Sequence, residues 1–278
     1  MADHLGKIIY LGLLGGPRVR YSPSPAMHKA ALKESALEGD YVAVQVSPES
    51  LAKTVQSLWD LGYEGLNVTN PHKITVMDLL VGLSDEAKAI GSINTLVRTK
   101  QGYFGENTDA RGFQAAYLLD LKNPEKIKTL VLGAGGAARG VVTALKKAGF
   151  SLGISSRDFS QAEALAAEFG QRALDWQSLG DYGSFDLLVN ATSSSSFEDF
   201  LPKPPTVSLK PGVRVIDINY GRDNNHFETI CLRAGGTFQD GLGMLAHQAR
   251  LSFILWTKTD PGLAPFLGAL RKHLNPVE

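Results

Sequence analysis

Three clusters of polar residues lie where apolar segments of the sequence end. They are Ser22-Pro23-Ser24-Pro25, the stretch from Asn67 to Lys73, and Asn107-Thr108-Asp109. Each cluster has a structural explanation, because serine and aspartate cap helices and asparagine and threonine favour turns. Taken singly, the clusters are equally compatible with local structure and with a binding site.

Lys73 is the exception, because local structure gives a lysine no purpose at this position. It follows Pro71, which predicts the start of a helix. A cation in the first helical turn faces the positive end of the helix dipole. A nearby carboxylate would keep such a lysine charged while it exchanges a proton near neutral pH. Asp109 can supply that carboxylate, so Lys73 and Asp109 are the candidate acid/base pair.

A glycine-rich loop predicts a second kind of site, for a dinucleotide. Gly133, Gly135 and Ala138 occupy the three positions of the G-x-G-x-x-G/A pattern, between the apolar segment 129–132 and the helical pattern 137–147. The first glycine allows a tight turn, the second lets backbone amides approach a pyrophosphate, and the small third residue lets the helix pack closely. A simple glycine-rich turn is the alternative. The residues predicted to bind the cofactor here are Gly133, Ala134, Gly135, Gly136 and Ala137.

The residues after the next predicted strand, Ser156, Arg157 and Asp158, bear on the choice of cofactor. Arg157 can hold the 2′-phosphate of NADP by a charge-assisted hydrogen bond, whereas Asp158 can accept a hydrogen bond from the free ribose hydroxyl of NAD. Asp158 can also simply lead into the following helix, whose expected cap is Ser160. The sequence favours NADP and leaves NAD possible.

Apolar periodicity predicts an α/β fold in which strands and helices alternate in both halves of the chain. The predicted strands are 7–14, 41–46, 65–68, 95–99, 103–104, 129–132, 152–155, 187–190 and 213–218. Helices are predicted to begin at Ser24, Leu51, Pro71 and Ser84 and near Thr108, and others to span 137–147, 160–169, 243–256 and 265–274.

The length of 278 residues suits two domains. The polar segment 121–128 separates the two alternating halves, and the predicted boundary lies just before it. Residues 1–107, with 243–278 packing back on them, are predicted to form an α/β substrate and catalytic domain. Residues 108–242 are predicted to form a Rossmann-type dinucleotide-binding domain.

Composition excludes several classes of protein. Lys plus Arg and Asp plus Glu each number 28, so the net charge of zero predicts no charge-driven binding to nucleic acid or an anionic membrane. The apolar run from Ile8 to Leu14 indicates a buried strand rather than a signal peptide, and no run approaches the roughly 18 residues of a membrane helix. The single cysteine, Cys231, predicts a cytoplasmic protein. The six histidines show no zinc-ligand spacing, so a metal enzyme is disfavoured.

Several motifs occur in a fixed order along almost the whole chain. They are Ser22-x-Ser24-Pro25-x-x-His28, Asn67-Val68-Thr69-x-Pro71-His72-Lys73, Ile93-Asn94-Thr95, Gly105-x-Asn107-Thr108-Asp109-x-x-Gly112-Phe113, the glycine-rich loop, Asn190-Ala191-Thr192-Ser193-Ser194 and Asp240-Gly241-Leu242-Gly243-Met244-Leu245. Together they resemble the shikimate dehydrogenase family. The resemblance implies reversible, NADPH-dependent reduction of 3-dehydroshikimate to shikimate in aromatic amino acid biosynthesis.

The resemblance also implies roles for individual residues. Lys73 would exchange the proton, and Asp109 would orient it and keep it charged. Tyr220 would lie near the substrate and the nicotinamide, and Thr192, Ser193 and Gly241 would lie beside the cofactor. With Asp109, the residues that hold the carboxylate and hydroxyls of the ring acid would be Ser22, Ser24, Asn67, Thr69, Asn94 and Gln248.

The chain departs from the family pattern at several places. Lys29 replaces a frequent asparagine, and the segment Gly221 to His226 lacks the usual proline and threonine. Gln161 stands where NADP-specific members often carry a second arginine, and Asp158 resembles the acid of the quinate/shikimate dehydrogenases that accept the unphosphorylated cofactor. One alternative is therefore a quinate/shikimate dehydrogenase of broader substrate and cofactor use. Another is a catalytically silent dinucleotide-binding sensor, against which the retained Lys73 and Asp109 argue. A monomer and a homodimer are both compatible with the sequence.

Overall fold

The computed structural model describes residues 8–176, 182–195, 208–221 and 224–274. Residues 222 and 223, within the segment that departs from the family pattern, lie outside this described part. The chain divides into two units. The first holds the described residues up to Gly112 and from Leu245 onward, and the second runs from Phe113 to Met244.

The first unit is built on a mixed sheet. Its strands are β1 (Ile9–Gly15), β2 (Gly39–Gln45), β3 (Gly65–Val68), β4 (Gly82–Leu83), β5 (Thr95–Arg98) and β6 (Tyr103–Glu106). In the described residues they lie in the order β2-β1-β3-β5-β6-β4, with β1 parallel to β2 and β3, and β5 antiparallel to β3 and β6. Leu14 of β1 pairs with Val68 of β3. The polar clusters that follow these two strands therefore start from the same edge of the sheet.

The second unit carries a wholly parallel sheet. Its strands are β7 (Thr129–Leu132), β8 (Leu152–Ser155), β9 (Arg172–Ala173), β10 (Leu187–Asn190), β11 (Arg214–Asp217) and β12 (Thr237–Gln239). Their order among the described residues is β12-β11-β10-β7-β8-β9, which is the doubly wound arrangement of dinucleotide-binding folds. In such sheets ligands bind at the carboxyl ends of the strands.

The helices follow the predicted alternation with the strands. They are α1 (Ser24–Glu34), α2 (Leu51–Asp60), α3 (Asp85–Ile90), α4 (Asp109–Tyr117), α5 (Gly136–Lys147), α6 (Phe159–Phe169), α7 (His226–Arg233), α8 (Leu242–Thr257) and α9 (Ala264–Leu274). Helix α2 buries Leu51, Val55 and Leu58, which share one helical face. The Ser84 side chain accepts a hydrogen bond from the Ala87 amide and so caps α3 as its sequence predicts. The α/β fold class is confirmed.

The helix predicted to begin at Pro71 is wrong. Residues 71–74 form turns, and a 3₁₀ helix follows at Thr75–Leu79. The Lys73 carbonyl accepts a hydrogen bond from the Ile93 amide at 2.7 Å instead of from an amide one helical turn later, so the α-helical pattern is not established there. Lys73 therefore lies in a turn and not in the first turn of a helix.

The prediction also omitted helix α7 and strand β12, as well as the two-residue strands β4 and β9. Asn225 provides the start of α7, since its side-chain oxygen accepts hydrogen bonds from the amides of Phe227 and Glu228. None of the helices within the described ranges is long and apolar enough to cross a membrane. The same residues contain no group of three or more histidine, cysteine, aspartate or glutamate side chains arranged to hold a metal ion.

Candidate active site

Lys73 and Asp109 form an ion pair in the first unit. The Lys73 Nζ atom lies 2.6 Å from Asp109 Oδ2, and the two side chains are only 16% and 5% exposed. Lys73 comes from the turn after β3, and Asp109 is the first residue of α4, where the helix dipole favours a carboxylate. The pair is shielded from water on most sides but remains open enough at the lysine to meet a ligand.

Asp109 is fixed by two asparagines. Its Oδ1 atom accepts a hydrogen bond from Asn94 Nδ2 at 2.8 Å, and its amide donates to Asn107 Oδ1 at 2.9 Å. The Asn107 side-chain amide in turn donates to the backbone and side chain of Ser92. Because both carboxylate oxygens of Asp109 are engaged, the carboxylate has one defined orientation toward Lys73.

Asn94 connects Asp109 to the other predicted substrate residues. Its Nδ2 atom also donates to Thr108 Oγ1 at 2.8 Å and lies 3.3 Å from Gln248 Oε1. Gln248 belongs to α8, which thus brings a residue from the end of the chain into the same cluster. The structure places Asn94, Asp109, Lys73 and Gln248 together.

Ser22 and Ser24 lie at the start of α1. The Ser22 hydroxyl donates to Ser24 Oγ at 3.0 Å and accepts from the Ser24 amide at 3.2 Å. Neither serine is the residue immediately before the helix, which is Pro23, and that cap position makes no side-chain hydrogen bond. Two adjacent hydroxyls at a helix amino end suit a bound carboxylate.

Asn67 and Thr69 differ in how free their polar groups are. Asn67 is buried, and its side chain contacts Tyr41, Asn94, Thr95 and Ser252. Thr69 is partly exposed, and among the described residues no side-chain hydrogen bond of its hydroxyl is found. Thr69 can therefore meet a ligand directly, whereas Asn67 is engaged by the protein.

The glycine-rich loop in the second unit has the backbone that its sequence predicts. Gly133 has a φ of 112°, and a Cβ atom there would lie 2.8 Å from the Ala191 carbonyl oxygen. Gly135 precedes α5, has open space where a Cβ would be, and makes no side-chain cap. Ala138 is fully buried against the sheet. The amino end of α5 thus follows a glycine turn, the arrangement in which helix amides bind an anion such as a pyrophosphate.

The residues after β8, on which the predicted choice of cofactor rests, include a carboxylate that is engaged by the protein. Asp158 is the cap of α6: its Oδ1 accepts from the Ser160 amide and hydroxyl, and its Oδ2 accepts from Gln161 Nε2. The hydrogen bond from the Ser160 side chain is the main cause that lowers the pKa of Asp158 below its usual value. The prediction that Ser160 would cap this helix is wrong, because the carboxylate two residues earlier reaches these donors at the helix start.

Arg157 projects from the same loop in a different environment. Its side chain is exposed, and the described part of the chain supplies it with no hydrogen bond or ion pair. Ser156 beside it is buried. Because Asp158 faces the helix start, Arg157 is the charged group in this loop that is available to a ligand.

The loops that carry Thr192, Ser193 and Tyr220 are tied to the buried carboxylate of Asp217. Asp217 accepts hydrogen bonds from the side chains of Asn190 at 2.9 Å, Asn219 at 2.8 Å and Asn225 at 2.7 Å. Asn190 Oδ1 accepts from the Thr192 hydroxyl at 2.7 Å. Hydrogen bonds therefore connect the ends of β10 and β11 at the points where these loops begin.

Gly241 has a structural role that its sequence motif does not reveal. A Cβ atom there would collide with the Ile218 carbonyl, and the Gly241 amide donates to the Asn219 carbonyl at 2.9 Å. Burial raises the pKa of the neighbouring Asp240. Gly241 thus holds the loop after β12 against the loop that leads to Tyr220.

Three buried polar residues around these sites escaped the sequence-based prediction. Tyr41 contacts Asn67, and Ser252 contacts Asn67, Thr95 and Thr108. Asp217 joins the loops that follow β10 and β11. Tyr41 and Ser252 lie in apolar stretches, so their pattern predicts only core. Asp217 is the last residue of an apolar strand, and a carboxylate at that position could have been predicted from the sequence to have a functional or structural role.

Two family models match the chain. The shikimate dehydrogenase substrate binding domain matches residues 14–96, and the shikimate/quinate 5-dehydrogenase model matches residues 114–223. A shikimate dehydrogenase (NADP+) from Shouchella clausii is 34% identical over 276 residues, covering 95% of this chain and 98% of the relative. The chain belongs to the shikimate dehydrogenase family.

Solved shikimate dehydrogenase structures have the same fold. The enzyme from Thermus thermophilus, in complex with NADP(H) and shikimate, is 35% identical with a TM-score of 0.84, covering 95% of this chain and 99% of that one. A quinate dehydrogenase from Corynebacterium glutamicum in complex with NAD is 28% identical with a TM-score of 0.81, covering 96% and 100%. The family therefore includes members named for either ring acid and solved with either dinucleotide.

Proposed function

We propose that this protein is an NADP-dependent oxidoreductase that reversibly reduces 3-dehydroshikimate to shikimate. The observation that carries the proposal is the shielded ion pair between Lys73 Nζ and Asp109 Oδ2 at 2.6 Å, in a chain whose relatives are named shikimate dehydrogenase (NADP+). A protein that only binds its ligand does not need such a proton-exchanging pair. The pair thus favours an enzyme over a silent sensor.

The chain supplies the proton chemistry of this reaction. When bound, the nicotinamide supplies hydride exchange with the ring carbon. Lys73 donates a proton from Nζ to the oxygen of the ring ketone as that oxygen becomes an alcohol, and it takes the proton back in the reverse direction. Asp109 keeps Lys73 charged and directs it, while Asn94 holds Asp109 in place.

The remaining predicted residues are proposed to bind the two ligands. Ser22 and Ser24 hold the ring carboxylate, and Thr69, Asn94 and Gln248 face its hydroxyls. Asn67 acts on the same pocket through its protein contacts. Tyr220 is proposed to contact the substrate near the nicotinamide. On the cofactor side, the residues proposed to bind or border the dinucleotide are Gly133, Ala134, Gly135, Gly136, Ala137, Ser156, Arg157, Thr192, Ser193 and Gly241.

The backbone of the glycine-rich loop in the second unit has a conformation that suits a dinucleotide. The amino end of α5 follows the glycine turn, the open space at Gly135 leaves room for a pyrophosphate, and the positive φ of Gly133 makes the turn that brings the backbone there. Arg157 provides a cation for a 2′-phosphate. These features support NADP as the cofactor.

Initial rates with shikimate and quinate, each with NADP+ and NAD+, test the proposal. We expect the highest kcat/KM for shikimate with NADP+. Comparable rates with quinate would favour the broader quinate/shikimate dehydrogenase. If neither ring acid were oxidised while the dinucleotide still bound, the protein would be a sensor and the proposed activity would be wrong.

Arg157→Ala should raise the KM for NADP+ by about tenfold to a hundredfold and leave the KM for NAD+ almost unchanged. The variant removes a hydrogen bond to a charged phosphate, which contributes roughly 1.5 to 3 kcal/mol. The measurement is the ratio of kcat/KM for the two cofactors at saturating shikimate. Unchanged NADP+ kinetics would show that Arg157 does not bind the 2′-phosphate.

Asp158→Asn is the companion variant, because asparagine is as good a helix cap as aspartate. Asp158 accepts hydrogen bonds from Ser160 and Gln161 in α6. Asp158→Asn should therefore change the ratio of kcat/KM for NADP+ and NAD+ less than Arg157→Ala does. A strong loss of NAD+ use in Asp158→Asn would mean that the carboxylate turns to the ribose when the cofactor binds.

We also propose that the protein works in the cytoplasm as a monomer or homodimer, without nucleic acid or membrane partners. Its lone cysteine, Cys231, is buried and its net charge is zero. Light scattering coupled to gel filtration gives the oligomeric state. A mass above that of a dimer would contradict the proposal.

A further inference from the structure

Two buried hydroxyl groups lie next to the Asn94 side chain in the first unit. Thr95 is the first residue of β5 and Ser252 belongs to α8, and both residues are 0% exposed. Thr95 Oγ1 lies 2.8 Å from Asn94 Oδ1 and 2.7 Å from Ser252 Oγ. Because neither residue is exposed, each can influence the candidate site only through the side chains that it contacts.

The Asn94 side chain has an acceptor side and a donor side with different partners. Its Oδ1 atom accepts hydrogen bonds from the Thr108 amide and from the Thr95 hydroxyl, both at 2.8 Å. Its Nδ2 atom donates to Asp109 Oδ1, also at 2.8 Å. A reversed amide would place Oδ1 against the Asp109 carboxylate and Nδ2 against two donors. The two donors at Oδ1 therefore hold the Asn94 Nδ2 atom toward Asp109.

The partners of Thr95 determine where its single hydroxyl proton points. Asn94 Oδ1 can only accept a hydrogen bond, so the Thr95 proton must lie on that side. Ser252 then donates its own proton to Thr95, and Ser252 Oγ accepts from Asn67 Nδ2 at 3.1 Å. The hydrogen bonds thus run in one direction, from Asn67 through Ser252, Thr95 and Asn94 to Asp109. Consecutive hydrogen bonds of this kind polarise and strengthen one another.

We propose that Thr95 is a positioning residue that fixes the Asn94 amide and thereby the orientation of Asp109 toward Lys73. Asn94 binds Asp109 Oδ1, whereas Lys73 Nζ lies 2.6 Å from Oδ2 of the same carboxylate. A displaced Asn94 would therefore let the carboxylate rotate away from the lysine. Ser252 supports this arrangement by directing the Thr95 proton. The inference rests on the proposed function, because it assigns the proton exchange to Lys73 and Asp109.

Thr95→Val tests the inference because it removes the hydroxyl and keeps the branched side chain. We expect kcat for shikimate oxidation to fall about tenfold, because a small misplacement of a catalytic group lowers the rate steeply. The KM for NADP+ should stay near the wild-type value, since the glycine-rich loop belongs to the second unit. Thr95→Ser keeps the hydroxyl and should have a kcat close to that of the wild type. Wild-type kcat in Thr95→Val would overturn the inference.

Thr95→Ala distinguishes the loss of the hydrogen bond from crowding. The added methyl group of valine needs more room than a hydroxyl that lies 2.8 Å from Asn94 Oδ1. Alanine removes the hydroxyl without adding bulk, so Thr95→Ala should also lower kcat. If Thr95→Ala kept the wild-type kcat, the effect of valine would be steric and the proposed role of the hydroxyl would be wrong.

Thr257→Val is the matched control for a buried threonine hydroxyl. Thr257 is also 0% exposed and lies in the first unit, but its hydroxyl donates to the Phe253 carbonyl within α8 at 2.8 Å. Thermal unfolding should show a similar loss of stability in Thr257→Val and Thr95→Val, whereas only Thr95→Val should lower kcat. Equal kcat values in these two variants would contradict the positioning role. If the wild-type protein did not oxidise shikimate, the proposed function would fail first, and the inference with it.

A double-mutant cycle with Ser252→Ala tests the direction of the hydrogen bonds. If Ser252 acts through Thr95, Ser252→Ala should lower kcat less than Thr95→Val does and should add little to the effect of Thr95→Val. The measurement is kcat for shikimate oxidation in the two single variants and in the double variant, with the KM for NADP+ as the internal reference. Independent, multiplying effects on kcat would contradict the path from Ser252 through Thr95 to Asn94.

Discussion

Lys73→Ala should lower kcat by about 10²- to 10⁴-fold, the usual contribution of a general acid/base. The affinity for NADPH should stay near the wild-type value, because the glycine-rich loop and Arg157 belong to the second unit. Initial rates with shikimate and a fluorescence titration with NADPH give the two quantities separately. Asp109→Ala should behave similarly, since Lys73 then loses the carboxylate at 2.6 Å.

Lys88→Ala is the matched control for this prediction. Lys88 also pairs with an aspartate in the first unit, at 3.3 Å from Asp85, but both side chains are exposed and lie in α3. Loss of an exposed ion pair changes stability by less than about 1 kcal/mol and should leave turnover intact. If Lys73→Ala kept near wild-type turnover, a group other than Lys73 would have to exchange the proton.

The strands around the glycine-rich loop were among the most predictable parts of the chain. Strands β7, β8 and β10 have the predicted bounds, because short apolar runs bounded by glycine or polar residues leave little choice of structure. Helices α8 and α9 were also predicted, since each carries an uninterrupted helical pattern. Their prediction required no knowledge of distant contacts.

The errors come from segments whose structure depends on distant partners. Pro71 is a strong signal for a helix start, yet the bond between the Ile93 amide and the Lys73 carbonyl belongs to a neighbouring part of the first unit and cannot be read from local sequence. Helix α7 was omitted because its cap, Asn225, lies where the family pattern fails. The cap residue of α6 was misassigned by two positions because a serine and an aspartate both suit that role.

In the candidate site, too, the sequence predicted residues that local sequence marks and missed residues whose role depends on partners far away along the chain. The sequence pairs Lys73 with Asp109 because a lysine in the first turn of a helix calls for a carboxylate. The ion pair is present, but the helix at Pro71 on which that argument rested is not. Their roles in turnover remain a prediction. Tyr41 and Ser252 could not be found in this way, since a tyrosine in a strand and a serine in an apolar helix predict only burial. Their partners lie far away along the chain.

Ser22 and Ser24 give the second large expected effect, and the structure explains why their hydroxyls are available. Ser22 donates to Ser24 at 3.0 Å and is partly exposed, so this weak neutral bond can be exchanged for bonds to a carboxylate. Hydrogen bonds to a charged group are about twice as strong as neutral ones. Replacing the hydrogen bond between the two serines by hydrogen bonds to the carboxylate of the ring acid is therefore favourable. A neutral ring alcohol offers no charged acceptor and gains nothing comparable.

Alanine at Ser22 or at Ser24 should accordingly raise the KM for shikimate by about tenfold to a hundredfold, with kcat and the KM for NADP+ changed far less. The matched control is Ser47→Ala, because Ser47 also donates to a nearby serine, Ser50, at 3.2 Å, but on the exposed surface of the same unit. Its kinetics should equal those of the wild type. If both single variants and the double variant at Ser22 and Ser24 kept the wild-type KM, the two serines would serve only the start of α1, and the carboxylate would have to bind elsewhere.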